Sequence, residues 1–435
     1  MKFAPFFCAL SFFALISNAN ALPKIEHWTT PAGTRVYFVE NHDLPILDVQ
    51  INFAAGSAYD PPEKAGLAAL THALLDTEIP GMDENKIAEK LADLGAILSG
   101  GVDLDRASMS LRTLSADEKR VPALELLRAV LSQPQFPPKI MEREKTRYIA
   151  SLKEALTRPE TLANRAFWAA LYPQHAYGQL TQPETLTALQ AEDLPAFYRA
   201  HYSASRATLS LVGDLSRRQA EALAKALTDD LPTGAGEILV ENTTLPAAHI
   251  QRIDHPASQA HVLLGLPALK RGDPDFFALL VGNYTLGGGG FVSRLMHEVR
   301  EKRGLAYSVQ SYFAPLAQPG PFQIGLQTKK SQAEEALAVV HQALQKFLAE
   351  GPSKAEWRAA QQNLIGSFPL RLDSNRKILD NLSVIGFYGL PLDYLDRYTE
   401  QIEKVSIADI KAAFARHVKV ENLITVIVGG NENVK

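Results

Sequence analysis

The chain has 435 residues, with 44 lysines and arginines against 48 aspartates and glutamates and a net charge of −4. That near balance leaves no strong basic field for nucleic acid, and a hydrophobic content of 46% is ordinary for a globular protein. The length suits two domains, each with its own core.

The first predicted element is a targeting segment, residues 1–21. Lys2 gives a short positive region, Phe3 to Ile16 is apolar apart mainly from Pro5 and Ser11, and Ala19-Asn20-Ala21 reads as a cleavage site. The apolar run is shorter than the roughly 20 residues a spanning helix needs. The expectation is an exported protein, periplasmic if the source is bacterial, whose mature chain starts at Leu22; an uncleaved anchor is the alternative. Cys8 lies inside this segment and is the one cysteine, so the mature chain should form no disulfide. No later apolar run reaches spanning length.

Gly66-Leu67-Ala68-Ala69-Leu70-Thr71-His72-Ala73-Leu74-Leu75 follows as a helix. Ala96 to Asp103 then reads as a strand, with Gly100-Gly101 suggesting a bulge. A helix led by Ala116-Asp117-Glu118, then Phe136-Pro137-Pro138 and a charged helix from Lys139, complete the set before the first half repeats.

The repeat is visible without any outside comparison. Asp193-Leu194, Phe197, His201 and the strand Ala207 to Asp214 match Asp409-Ile410, Phe414, His417 and the strand Leu423 to Gly430. The spacings from Asp to His and from His to Gly are the same in both copies. Each reads as a short amphipathic helix, a loop, and a β-rich strand stopped by glycine. A second pair agrees: Ala333-Glu334-Glu335 leads a helix, followed by Gly351-Pro352-Ser353 and a charged helix from Lys354. The predicted fold is α+β, two tandem duplicated domains, each a mainly antiparallel sheet on long helices. The domains are 22–230 and 248–435. The stretch 231–247, rich in Gly, Pro and Thr and bracketed by Asp230 and His249, is the linker.

In the second half, Gly287-Gly288-Gly289-Gly290 precedes Phe291-Val292-Ser293-Arg294, and the helix beyond leads through Arg300 to Gly304-Leu305-Ala306-Tyr307. No Gly-Lys-Ser/Thr follows the glycines, which argues against a phosphate loop. A flexible turn that lets a peptide backbone approach fits them better.

The Gly66 helix and the Gly287-to-Val309 stretch resemble the M16 (insulinase, pitrilysin-like) zinc peptidases, and the resemblance spans about Ile25 to Gly430. The family writes the first stretch as G-L-A-H-F-L-E-H-M-L. Its two ligand histidines fall here on Ala69 and Ala73, and its general-base glutamate on His72. The third ligand lies seven residues after the Glu of a Glu-Arg pair, here Glu142-Arg143, and falls on Ile149. Zinc needs about three protein ligands plus a water, and these three positions offer no lone pair. His72 reads as a substitute base, a lone ligand, or a surface histidine paired with Asp76 one turn on. No two of the eleven histidines lie at i and i+4, so no other helix offers a two-histidine grip.

The resemblance also implies that Arg300 and Tyr307, seven apart, bind substrate near the scissile bond. A guanidinium can hold a carbonyl or carboxylate with paired donors, and a phenol can donate to an oxygen gaining charge. On their own residues, Arg300 reads rather as a charge on a solvated helix and Tyr307 as a core aromatic at a strand start. The family's substrate-adding edge strand falls on the segment with Gly100 and Gly101; an ordinary hairpin edge is the alternative.

M16 enzymes are clam-like chambers of four such domains, so a two-domain chain supplies half. The expectation is a non-catalytic, substrate-binding subunit of a heterodimeric zinc metallopeptidase acting on peptides. It would have no cofactor of its own, and zinc would sit in a partner M16 chain with an intact His-x-x-Glu-His. The alternative is a metal-free peptide-binding or scaffold protein, a homodimer. No Gly-x-Ser-x-Gly elbow or mature cysteine nucleophile suggests another hydrolytic route.

Overall fold

The computed structural model describes residues 24–234 and 240–429. The targeting segment with Cys8, the middle of the linker and the last residues lie outside that range.

The first sheet contains β1 (Glu26–Thr29), β2 (Arg35–Glu40), β3 (Ile46–Phe53), β6 (Ile97–Val102), β7 (Ala107–Leu114) and β8 (Ala207–Gly213); β4 (Glu78–Ile79) and β5 (Met82–Asp83) form a small separate hairpin. Its order is β1-β2-β8-β3-β7-β6. The second sheet is built from β9 (His249–Ile253), β10 (Gln259–Leu269), β11 (Ala306–Phe313), β12 (Gly320–Lys329) and β13 (Ile424–Val428), in the order β11-β12-β10-β13-β9. Each sheet is antiparallel except for one parallel pair, β2 with β8 and β9 with β13. β8 and β13 are the two repeated strands found in the sequence. The same order built twice, with β1 added to the first copy, is the duplication in three dimensions.

Alternation along β3 explains the layers. Leu47, Val49, Ile51 and Phe53 enter the first core, under helices that include Leu67–Ala73 and Asp117–Ser132. Asp48, Gln50 and Asn52 point to the opposite face, yet they too are buried. The cover is the helix Asn375–Tyr388, which comes from the second half of the chain. Its Ser383 hydroxyl accepts from Gln50 (3.0 Å), Asn52 (2.9 Å) and Arg106 (3.0 Å).

The exchange is reciprocal. The helix Pro159–Leu171, from the first half, lies over β10 and β13. There Ala163, Phe167 and Leu171 pack with Leu263, Ile424, Val426 and Val428, and a buried Phe contributes about 1.5–3 kcal/mol. The strands keep to their halves of the chain, while these two helices cross the linker. Between the units the buried Asp105 accepts from Tyr177 (2.5 Å), Tyr388 (2.8 Å) and the Ala317 amide (2.9 Å). Among the described residues no helix is long and apolar enough to cross a membrane.

Candidate functional site

The helix Leu67–Ala73 is fixed from its N-terminal end. Asp60, buried, accepts from the amides of Gly66 and Ala68, each at 2.7 Å, which satisfies donors a helix start leaves open. Burial pushes its carboxyl up to about 7, against the opposing pull of the amides of Gly66, Ala68 and Leu67. Leu67, Leu70 and Leu74 face the core. Ala69 and Ala73, four apart, share another face, half-exposed and exposed respectively. Ile149, on the helix Pro138–Ala155 packed alongside, is half-buried against the same core. These side chains end in hydrocarbon, so the donor set does not fit zinc.

His72 is not the surface histidine paired with Asp76 that its spacing allows. It is half-buried, and its Nε2 lies 2.8 Å from the Ser108 carbonyl on β7. In this contact a neutral ring donates through Nε2. Burial holds its pKa below the usual histidine value, and burial raises that of Asp76. Gly100 makes the room: a Cβ there would stand 2.3 Å from the Ser108 oxygen and 2.7 Å from His72 Nε2.

β6 is the outermost strand of its sheet. It pairs with β7 in unbroken register from Ile97↔Arg112 to Val102↔Ala107, so the bulge expected at Gly100-Gly101 is absent. The pair serves a close approach at Gly100, while Gly101 faces open space. Ile97 is exposed at the start of this edge.

In the second unit the first three glycines of the run are closely packed, while Gly290, at φ +63°, stands in open space. A Cβ at Gly287, Gly288 or Gly289 would stand within 2.4–2.7 Å of Ser311, Asn283 or Tyr284. Gly287, Gly288 and Gly289 seat the turn against its own sheet and helix, which leaves the close backbone approach expected of the run to Gly290. Beyond it, a π-helical segment, Met296–Glu301, carries Arg300. The register of β11 against β12 shifts between Ala306 and Val309, so Tyr307 and Ser308 both face outward. Tyr307 is 83% exposed and is no core aromatic.

Arg300 and Tyr307 come together. The guanidinium lies 4.8 Å from the Tyr307 ring centroid and 4.9 Å from that of Phe291. Its basic neighbours are all engaged with carboxylates: Arg294 with Glu356, His297 with Glu301, Lys302 and Arg303 with Glu298. Arg300 has no such partner among the described residues. Phe291 and Val292, exposed beside it, were not singled out in the sequence; two apolar residues directly after a glycine run were the available signal. The second site is thus a free guanidinium between two exposed rings, suited to gripping a peptide carbonyl or carboxylate.

One further cluster escaped the helix-spacing search. Asp273, Asp275 and His417 lie close enough to hold a cation. However, His417 bonds the Ala268 carbonyl (2.8 Å) and Asp275 (2.9 Å), and Arg416 grips Asp275 with two bonds.

Comparison with known proteins agrees with this geometry. The family model described as insulinase (peptidase family M16) matches residues 35–184, and that of the peptidase M16 inactive domain matches residues 188–364. A crystal structure of a peptidase M16 inactive domain from Pseudomonas fluorescens is 37% identical, with a TM-score of 0.91 over 94% of this chain and 99% of that one. The Helicobacter pylori protein named non-peptidase homolog YmxG is 27% identical over 426 residues, 96% of each chain. The periplasmic protease PqqL of Escherichia coli shares the fold at 17% identity, with a TM-score of 0.80 over 94% of this chain but 46% of that one.

Proposed function

The chain belongs to the insulinase (M16) peptidase family, and from that premise we propose that it is the non-catalytic, substrate-binding subunit of a heterodimeric zinc metallopeptidase acting on peptides. Its partner is an M16 chain with an intact His-x-x-Glu-His. The histidines of that motif would hold zinc, which would supply Lewis-acid chemistry and an activated water. This chain contributes half the chamber wall, the open edge of β6 for main-chain pairing with an extended peptide, and the Arg300–Tyr307 grip. Arg300 orients the peptide by a backbone carbonyl or a carboxylate. Tyr307 donates its hydroxyl to the same segment, and the exposed rings of Phe291 and Tyr307 shield those polar contacts from water.

The observation that carries this reading is the contrast between three metal positions without a donor, at Ala69, Ala73 and Ile149, and an unpaired Arg300 among ion-paired neighbours. The match to less than half of PqqL supports it further, because one longer chain holds this two-domain unit and as much again. The compartment follows the same line: the pattern of residues 1–21 and the periplasmic origin of PqqL support export.

The second reading, a metal-free peptide-binding or scaffold homodimer, draws on the name of the Helicobacter relative and on the same open β6 edge. A pull-down of the tagged mature chain from its native host separates the two. A stoichiometric partner of similar length bearing His-x-x-Glu-His is the expected result. A clean self-dimer without metal retires the peptidase-subunit reading.

A further inference from the structure

A second ligand-sized feature lies away from the Arg300–Tyr307 site, next to the Asp273 cluster. A cavity of about 270 Å³ opens between the end of β10 and the loop after the helix Asn375–Tyr388. Phe276, Phe277, Leu390 and Tyr394 give it apolar, largely aromatic walls, and Arg271 also lines it. The Arg271 backbone is pinned by its amide to the Leu316 carbonyl at 2.8 Å. Its guanidinium lies 5.3 Å from the centroid of the Tyr388 ring.

Arg271 is anomalous in its bonding. Its side chain has no ion pair and no hydrogen bond among the described residues, and its Nε is sealed from solvent without an acceptor. A buried guanidinium N–H left unpaired is costly, and native folds rarely keep one without a reason. The nearby carboxylates do not supply the acceptor. Asp273 takes the amide of Asp275 at 2.9 Å, and Asp393 faces Arg397 at 3.7 Å.

We propose that this cavity binds a small monoanionic ligand with an apolar body about one ring in size, its carboxylate held by Arg271. With Nε sealed, the end of the guanidinium is the part that can meet a ligand, its two terminal nitrogens offering paired donors to the oxygens of a carboxylate. The aromatic walls take the apolar body. Arg271 and Arg397 share the lining with Asp273 and Asp393, so it carries no net positive charge, which disfavours a dianion such as phosphate more than a singly charged group. The site also has a mechanical consequence. Tyr388, stacked beneath Arg271, donates to Asp105 at the joint between the two units, so an occupant braces that joint.

Isothermal titration of the full mature chain with 3-phenylpropionate, its neutral amide 3-phenylpropionamide and inorganic phosphate tests this. The expected result is saturable one-to-one binding of the acid, with the amide and phosphate each at least tenfold weaker. Arg271→Met should weaken the acid at least tenfold. Equal binding of acid and amide, tighter binding of phosphate, full affinity in Arg271→Met, or no saturable binding of the acid would each overturn the proposal. The acid–amide comparison uses the unaltered chain, so it decides the matter even if the variant does not fold.

Discussion

The helix Leu67–Ala73 and the Arg300–Tyr307 grip treat their polar groups in opposite ways. In the first, Asp60 and His72 turn inward and are satisfied by backbone, and the face that held metal in the family is methyl. In the second, a guanidinium and a phenol stand outward with ring contacts only. The difference teaches where chemistry can be lost without the fold. The two histidine positions share one face of a helix whose leucine face carries the packing, so alanine there removes no core contact, and the third position, Ile149 on the neighbouring helix, packs against the core instead.

Restoring the lost chemistry is the strongest way to break the comparison. Ala69→His, Ala73→His and Ile149→Glu together should let the chain retain one equivalent of zinc after dialysis, read by metal analysis. A metal-free triple variant would mean that the helix and its neighbour no longer present the ligand geometry.

The inward-turned half should also carry acid sensitivity. His201, packed behind this helix, is pushed down to about 4, by burial first and by the charge of Arg206 second. Below about 6.5 the unfolded chain takes up a proton that the folded chain refuses, so the contribution of His201 to stability falls as pH drops from about 6.5 to 4, by about 3 kcal/mol. The lowered pKa of His72 acts with the same sign, and the raised carboxyls of Asp60 and Asp76 act with the opposite one. In His201→Gln the denaturant midpoint at pH 4.5 should rise relative to that at pH 7; an unchanged difference between the two would remove His201 from the acid response.

The outward-turned half should respond in activity and not in stability. Arg300→Ala is expected to cut turnover of the assembled complex about 100-fold while moving stability by no more than about 0.5 kcal/mol. Unchanged turnover would remove Arg300 from substrate binding. The finest contrast lies within one dipeptide. Gly100→Ala should cost about 2 kcal/mol, since a methyl there meets the Ser108 carbonyl and His72; Gly101→Ala should stay within about 0.5 kcal/mol. Equal melting shifts would mean that His72 is not packed as described.

The duplicated α+β plan, the repeated helix–strand pair around His201 and His417, the Gly66 helix with its missing ligands, and the Arg300–Tyr307 spacing could all be read from the chain. Each is encoded within a dozen or two residues, where periodicity and glycine stops act locally. Other features depend on partners far along the sequence. Gln50 and Asn52 alternate like a solvent face, but a helix more than 320 residues away buries them through Ser383. The bulge fell at Tyr307 and not at Gly100, because strand register is set by the neighbouring strand as well as by the glycines. That Arg300 has no carboxylate among the described residues while Arg294, Lys302 and Arg303 do is a matter of which acids the fold brings within reach. The sequence by itself determined the family, the duplication and the loss of the metal ligands, since residue type and local spacing suffice for those. The exchanged helices, the open β6 edge and the free guanidinium were decided only by the tertiary structure, because each is a contact, or the lack of one, between distant parts of the chain.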